Sequence, residues 1–77
     1  MLNIPLSKTA FWDIDMNTLD ENIHKDFIVA RVFQYGELED ARIIIKKYSK
    51  EEISHALKQY RGLDELTINF AKVMGYL

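Results

Sequence analysis

The 77-residue chain contains no cysteine, one proline and three glycines. Without cysteine it has neither a disulfide framework nor a thiolate metal site, as expected for a protein of a reducing compartment. It also lacks internal repeats and low-complexity tracts, which excludes repeat arrays and flexible linkers. The sequence therefore predicts one small domain, whose stability comes from packing or from contact with another chain.

The chain has no excess of positive charge and no long apolar run. Its formal net charge is -2 and its pI is about 5.6, which does not favour nucleic acid as a partner. No stretch approaches the roughly 20 apolar residues of a membrane span. Residues 1–12 have neither a basic start nor an unbroken apolar segment, as a secretion signal would. We therefore expect a cytoplasmic protein without membrane association.

Hydrophobic side chains are abundant for so short a chain. They make up 48% of the residues, and aromatic residues make up 12%. A domain of this size buries only roughly 60 to 65% of the surface that its unfolded chain exposes. We expect some apolar side chains to stay outside the core, where a second molecule could cover them.

Helical periodicity and glycine placement predict an all-α fold, a compact bundle of four short helices with an N-terminal arm. The arm and a short turn occupy residues 1–19, and a single helical domain occupies residues 20–77. The predicted helices cover about 20–35, 37–48, 49–61 and 64–74. Glycines follow the first, third and fourth of these, where a helix often ends in a left-handed residue (Gly36, Gly62 and Gly75). The last two helices give the C-terminal half a helix-turn-helix-like order.

Two helix starts carry recognisable caps. Ser49 and Glu52 form a capping box, in which each side chain can bond the backbone amide of the other residue. Asp64, with Thr67 three residues later, is a cap for the fourth helix. These signals predict the start of the third and fourth helices more firmly than periodicity alone.

Helical spacing also predicts which face of each helix is buried. The first helix is apolar nearly all round and is expected at the centre of the bundle, with Phe11 and Trp12 of the arm over one face. In the second helix Ile43 falls on the charged side. In the fourth, Ile68 falls outside the expected core face, which comprises four larger side chains (Leu66, Phe70, Val73 and Met74).

No arrangement of residues predicts catalysis. Asp13 and Asp15 form a carboxylate pair of the kind that holds divalent cations, but no phosphate-binding glycine loop accompanies it, and capping of a turn is the better interpretation. His24 and His55 lie on different helices without a second ligand at zinc spacing. His24 shares a polar strip of the first helix with Arg31. We expect no enzyme activity, cofactor, metal or small-molecule substrate.

Five basic residues concentrate around the junction of the second and third helices: Lys46, Lys47, Lys50, Lys58 and Arg61. With the helix-turn-helix-like order they support an alternative function, an autoregulatory nucleic-acid-binding module. The would-be recognition helix, however, begins with Asp64 and Glu65, whose carboxylates would repel phosphates. Nucleic acid is therefore possible but not favoured.

From Phe11 onward the chain resembles a family of small, mostly uncharacterised bacterial domains. The pattern reads Phe11-Trp12-Asp13, Leu19-Asp20, Asp26, Arg31-Val32, Tyr35-Gly36, Leu38-Glu39-Asp40, Tyr48, Glu51-Glu52, Leu57, Arg61, Leu63, Thr67, Asn69-Phe70 and Met74-Gly75. Members are often encoded beside abortive-infection nucleotidyltransferase-type toxins, so the resemblance implies an antitoxin-like partner protein. Relatives tend to carry proline and a basic residue before the threonine, where this chain has Asp64-Glu65-Leu66. The resemblance supplies no catalytic residues.

The sequence thus predicts a non-enzymatic domain that binds another protein, such as a cognate toxin. The predicted contact residues are Phe11, Trp12, Ile43 and Ile68, because aromatic and exposed apolar side chains carry most binding energy. Phe11 and Trp12 could instead close the small core. Self-association is a further possibility.

Overall fold

Four α-helices and two short 3₁₀ turns form the fold in the computed structural model, which describes residues 5–77. The 3₁₀ turns are Lys8–Phe11 and Met16–Thr18, and the helices are α1 (Lys25–Tyr35), α2 (Leu38–Lys47), α3 (Lys50–Gln59) and α4 (Glu65–Val73). The molecule measures 31 × 22 × 22 Å, and residues 5–77 contain no β-strand. The predicted all-α bundle of four short helices is confirmed.

Helix α1 lies at the centre of the bundle, as its apolar circumference predicts. Four residues that point to different sides of this helix are fully buried: Ile28, Val29, Ala30 and Val32. It packs against α3 most extensively, and also against α2 and the first 3₁₀ turn. A helix covered on three sides cannot be amphipathic, so its even hydrophobicity follows from its place in the fold.

The start of α1 is later than predicted. Asp20 caps a separate turn, because its carboxylate accepts the backbone N–H groups of Asn22 and Ile23 at 2.8 and 2.9 Å. The ring Nδ1 of His24 accepts the backbone N–H of Asp20 at 2.9 Å. These local bonds compete with helical ones, so the α-helix begins at Lys25 rather than near residue 20.

The predicted caps of α3 and α4 are confirmed. The hydroxyl of Ser49 accepts the backbone N–H of Glu52 at 3.1 Å, and the Glu52 carboxylate accepts that of Ser49 at 2.9 Å. At the start of α4 the carboxylate of Asp64 accepts the backbone N–H of Thr67 at 2.8 Å, and this bond lowers the pKa of Asp64 below its usual value. Each cap satisfies an amide that the helix itself leaves free.

The glycine prediction is correct at one of its three positions. Within the described residues the left-handed conformation occurs at Gly75, with φ +87°, and not at Gly36 or Gly62. Gly75 ends α4 in a Schellman motif, in which Tyr76 N–H donates to the Ala71 carbonyl at 2.8 Å. Gly36 is extended, and a Cβ there would lie 2.6 Å from the Val32 carbonyl oxygen. Close approach, rather than a positive φ, therefore requires glycine at Gly36.

The N-terminal arm contributes to the core instead of lying on the surface. Leu6, Ala10, Phe11 and Leu19 are buried in the same cluster as the helices. The arm is tied to the start of α2 by the buried carboxylate of Asp40, which accepts the backbone N–H of Ser7 at 3.0 Å and also the Ser7 hydroxyl. The same carboxylate accepts the Glu37 N–H at 3.0 Å, so one side chain holds both segments.

We expect the Asp40 bonds to make stability depend on acidity. Burial raises the pKa of Asp40, but the hydrogen bonds from Ser7 and Glu37 outweigh burial and hold it below its usual value. The stabilisation is therefore complete above the unfolded pKa of about 3.9 and is lost as pH falls through the lower folded pKa. Asp40→Asn should cost about 1 to 3 kcal/mol near neutrality and progressively less in acid. Urea unfolding from about pH 7 to pH 2.5 measures this, and a difference that stays constant with pH would contradict it.

Helix α4 is turned the opposite way from the prediction. Its small residues Thr67 and Ala71 are buried, whereas Leu66 and Val73 are 80% and 85% exposed. The C-terminal side of α4 contacts α1: the Phe33 ring lies 5.8 Å from the Phe70 ring and from the Tyr76 ring, in edge-to-face contacts. Ile68, predicted to be exposed, is half-buried. Helix α4 therefore buries its small face and leaves Leu66 and Val73 facing solvent.

Candidate protein-binding surface

The four predicted contact residues do not form one surface. Phe11 is 2% exposed and belongs to the core, so its assignment to an interface is wrong. Its ring lies 6.4 Å from that of Phe27 in α1. Ile43 and Ile68 are half-buried, and Ile43 packs against the core instead of pointing outward. Trp12 is 72% exposed and is the one predicted residue that fully faces solvent.

The backbone on both sides of Trp12 is held by one buried arginine. Arg31 of α1 donates from Nε to the Ala10 carbonyl at 3.0 Å. Its Nη1 donates to the Asp13 carboxylate at 3.4 Å, and its Nη2 makes a second, shorter bond to the other oxygen of that carboxylate. With Phe11 in the core as well, residues 10, 11 and 13 are all attached to α1. The Trp12 side chain is therefore presented on a fixed backbone.

Arg31 itself is kept in place by aromatic rings. Its guanidinium lies 5.4 Å from the centre of the Phe27 ring and 5.1 Å from that of Tyr35, one turn before and one turn after it on α1. Such cation–π contacts stabilise a desolvated cation. The hydrogen bond from Arg31 lowers the pKa of Asp13 below its usual value, so this carboxylate is ionised at neutral pH. The sequence interpretation, which put Arg31 on a polar strip, is wrong because the arm covers that strip.

Trp12 borders an open depression of about 460 Å³. The depression is lined by side chains of the two 3₁₀ turns and the link between them: Lys8, Phe11, Trp12, Ile14, Asp15, Met16 and Asn17. The lining combines apolar side chains with Lys8, Asp15 and Asn17. This composition, an exposed aromatic beside a mixed shallow surface, is typical of protein-binding surfaces rather than of enclosed small-molecule sites.

The candidate catalytic and metal-binding residues have local structural partners. Asp13 pairs with Arg31, and Asp15 caps the second 3₁₀ turn by accepting the Asn17 N–H at 3.0 Å. His55 lies on the surface of α3, with Nε2 2.9 Å from the Gln59 amide nitrogen and 3.7 Å from the Asp26 carboxylate. Across residues 5–77, no three His, Asp or Glu side chains come together as a metal site would require.

The predicted basic cluster is divided between two places. Lys50 and Lys58 line one shallow depression of about 440 Å³ beside the exposed His55. Lys47 turns away and pairs with the Glu21 carboxylate at 3.2 Å. Lys46 and Arg61 are exposed. The structure thus brings two of the five cations together.

The features that sequence reasoning missed are Arg31 and the outward face of α4. The only sequence signal for Arg31 was its position between Phe27 and Tyr35 at helical spacing, in a helix otherwise apolar on all sides. For α4 the signal was the pair Thr67 and Ala71, which also share one face.

None of the helices in residues 5–77 is long and apolar enough to cross a bilayer.

A known family model matches residues 6–57 of the chain. The matching family is described as a family of unknown function, DUF6922. The matched residues include residues 6–19 of the arm with Trp12, all of α1 and α2, and α3 except its last two residues. Comparison with curated proteins and with solved structures gives no match.

Proposed function

The chain belongs to DUF6922, a family of unknown function, and we propose that it is a non-enzymatic domain that binds another protein through Trp12. The observation that carries the proposal is a tryptophan that is 72% exposed although the residues on both sides of it are fixed. A rigid backbone lowers the entropy lost when the side chain enters a partner's pocket. Tryptophan is also the residue type most enriched among those that dominate binding energy.

The partner in this proposal is a toxin encoded next to the domain in a bacterial genome, and the domain acts as its antitoxin in the cytoplasm. The support is the resemblance of the Phe11-Trp12-Asp13 and Tyr35-Gly36 segments to domains found beside such toxins. Both segments contact Arg31, the residue that bonds to Ala10 and Asp13 beside Trp12, through the Asp13 carboxylate and the Tyr35 ring.

Substitution of Trp12 tests the proposal against a matched control. The product of the adjacent gene is co-expressed with the wild-type domain, with Trp12→Ala and with Ile23→Ala. Ile23 is 79% exposed, so its loss removes an apolar group of comparable exposure. We expect Trp12→Ala to weaken complex formation by at least about 30-fold, a hot-spot loss of about 2 kcal/mol, and Ile23→Ala to leave it unchanged.

Two results would contradict this function. One is a complex that forms equally well with Trp12→Ala, which would place the contact elsewhere. The other is tight, salt-dependent binding of duplex DNA that disappears when Lys46, Lys47 and Lys50 are changed to glutamine. That result would favour the nucleic-acid-binding alternative instead.

A further inference from the structure

We propose that α4 pairs in an antiparallel arrangement with α4 of a second copy of this chain, forming a twofold-symmetric dimer. The proposal concerns a different surface from Trp12: the groove beside α4 and the depression beside Trp12 have no lining residue in common. It therefore stands or fails independently of the proposed function.

The first argument is the inverted packing of α4. Burying a leucine or valine side chain is worth about 1.5 to 3 kcal/mol, so a helix normally turns its large apolar side chains inward. In α4 the inward face is Thr67 and Ala71, and the outward face holds Leu66 and Val73. These two residues are two turns apart and form one stripe along the helix axis, with Phe70 at its edge. A short stripe of this kind is the surface that pairs in helix-to-helix interfaces.

The second argument is that the stripe continues onto a neighbouring helix. Leu66 and Phe70 share a groove of about 370 Å³ with Leu38 at the start of α2. Leu38 is two-thirds exposed, and Phe70 and Met74 are partly exposed. Together these side chains leave on the order of 500 Å² of apolar surface, the upper end of what ordinary monomers expose in one patch.

The third argument is the charge pattern along the stripe. Glu65 and Lys72 are seven residues apart, so they lie two turns apart on the same edge of the stripe. In an antiparallel twofold pair centred between residues 69 and 70, Leu66 faces Val73 of the partner subunit. On the same edge Glu65 lies about 3 Å along the helix axis from Lys72 of the partner subunit, a distance that the two long side chains can bridge. Both charge pairs are then attractive, as a self-complementary interface requires. The opposed helix dipoles favour the same direction.

The size of the patch sets the expected strength of the dimer. Two copies would bury about 1,000 Å² in total, which is the small end of specific interfaces. A weak dimer with a roughly micromolar dissociation constant is therefore expected. Glu65 in the first turn and Lys72 in the last turn also complement the dipole of their own helix. The same two charges therefore favour both the helix itself and its antiparallel pairing.

Sedimentation of the full chain over roughly micromolar to millimolar concentrations tests the pairing. The wild type is expected to shift from monomer to dimer. The double variant Leu66→Ser with Val73→Ser is expected to stay monomeric with an unchanged circular-dichroism spectrum. Ile23→Ser, a substitution of an equally exposed apolar residue away from α4, should dimerise like the wild type.

Charge reversal tests the antiparallel direction. Glu65→Lys alone and Lys72→Glu alone each make both cross-helix pairs repulsive, so each should weaken dimerisation at least about tenfold. An equimolar mixture of the two variants restores two attractive pairs and should dimerise within about threefold of the wild type. A wild type that stays monomeric at all concentrations, a serine double variant that still dimerises, or a mixture no better than its components would each overturn the proposal.

Discussion

Phe11→Ala is expected to lower the free energy of unfolding by about 3 to 5 kcal/mol, whereas Trp12→Ala should change it by less than about 1 kcal/mol. The two residues are adjacent and both aromatic, but Phe11 is 2% exposed and Trp12 is 72% exposed. Removing the Phe11 ring opens a cavity between the arm and α1. Removing the Trp12 ring takes a side chain out of water and leaves the core unchanged.

The free energy of unfolding lost in Phe11→Ala is large relative to the total stability of the domain. A domain of this length typically unfolds with about 4 to 12 kcal/mol. Urea titration of both variants, followed by circular dichroism, measures the two changes on the same scale. Equal destabilisation by the two substitutions would show that Trp12 is a core residue, and the proposed function would lose its main support.

Arg31→Ala is expected to destabilise the domain by about 2 to 4 kcal/mol. The substitution removes a buried cation that bonds Ala10 and Asp13 and stacks between two rings. It also removes the aliphatic stem that packs in the same place. Arg31→Met keeps the stem, and we expect it to recover about half of the loss in urea unfolding.

The arginine variants also test whether Arg31 contributes to partner binding by positioning Trp12 rather than by touching the partner. Arg31 is buried, so its side chain can contribute little area to direct contact with a partner. If it fixes the backbone around Trp12, Arg31→Met should weaken partner binding measurably while the domain is still folded. Asp13→Asn, which keeps a hydrogen-bond acceptor, should have a smaller effect in the same direction. If Arg31→Met binds the partner with wild-type affinity, the bonds from Arg31 to Ala10 and Asp13 do not matter for recognition.

Sequence reasoning was sufficient for the presence of the four helices and for the caps of α3 and α4. Ser49, Glu52 and Asp64 are short polar residues whose local bonding depends on a few neighbours, so their roles follow from spacing alone. The central position of α1 was also predictable, since a helix that is apolar on every side needs cover on every side.

The orientation of α4 could not be predicted in the same way. The helix has two candidate inward faces, one with large residues such as Leu66 and Val73 and one with the small residues Thr67 and Ala71. Periodicity favours the larger side chains, whereas the observed packing buries Thr67 and Ala71 and places Phe70 and Tyr76 against the Phe33 ring of α1. Such tertiary fit is not encoded in the spacing of one helix. The burial of Arg31 depended likewise on a distant segment, the arm.

The two proposed surfaces differ in their relation to the family. The match over residues 6–57 includes Trp12 and Arg31 but ends before α4 begins. Partner binding through Trp12 therefore rests on the part of the chain that matches the family. Self-pairing rests mainly on α4, which lies outside that part, with Leu38 of α2 as the one matched residue of the apolar patch. Separate substitutions can therefore remove partner binding and self-pairing one at a time.

Fluorescence of Trp12 tests the central claim most directly, because it is the single tryptophan of the chain. The claim is that a folded domain holds this side chain in water until a partner covers it. In the folded protein we predict an emission maximum and acrylamide quenching close to those of free N-acetyltryptophanamide, with a shift to shorter wavelength and protection from quenching when the partner is added. Blue-shifted, protected emission in the folded domain alone would contradict the account.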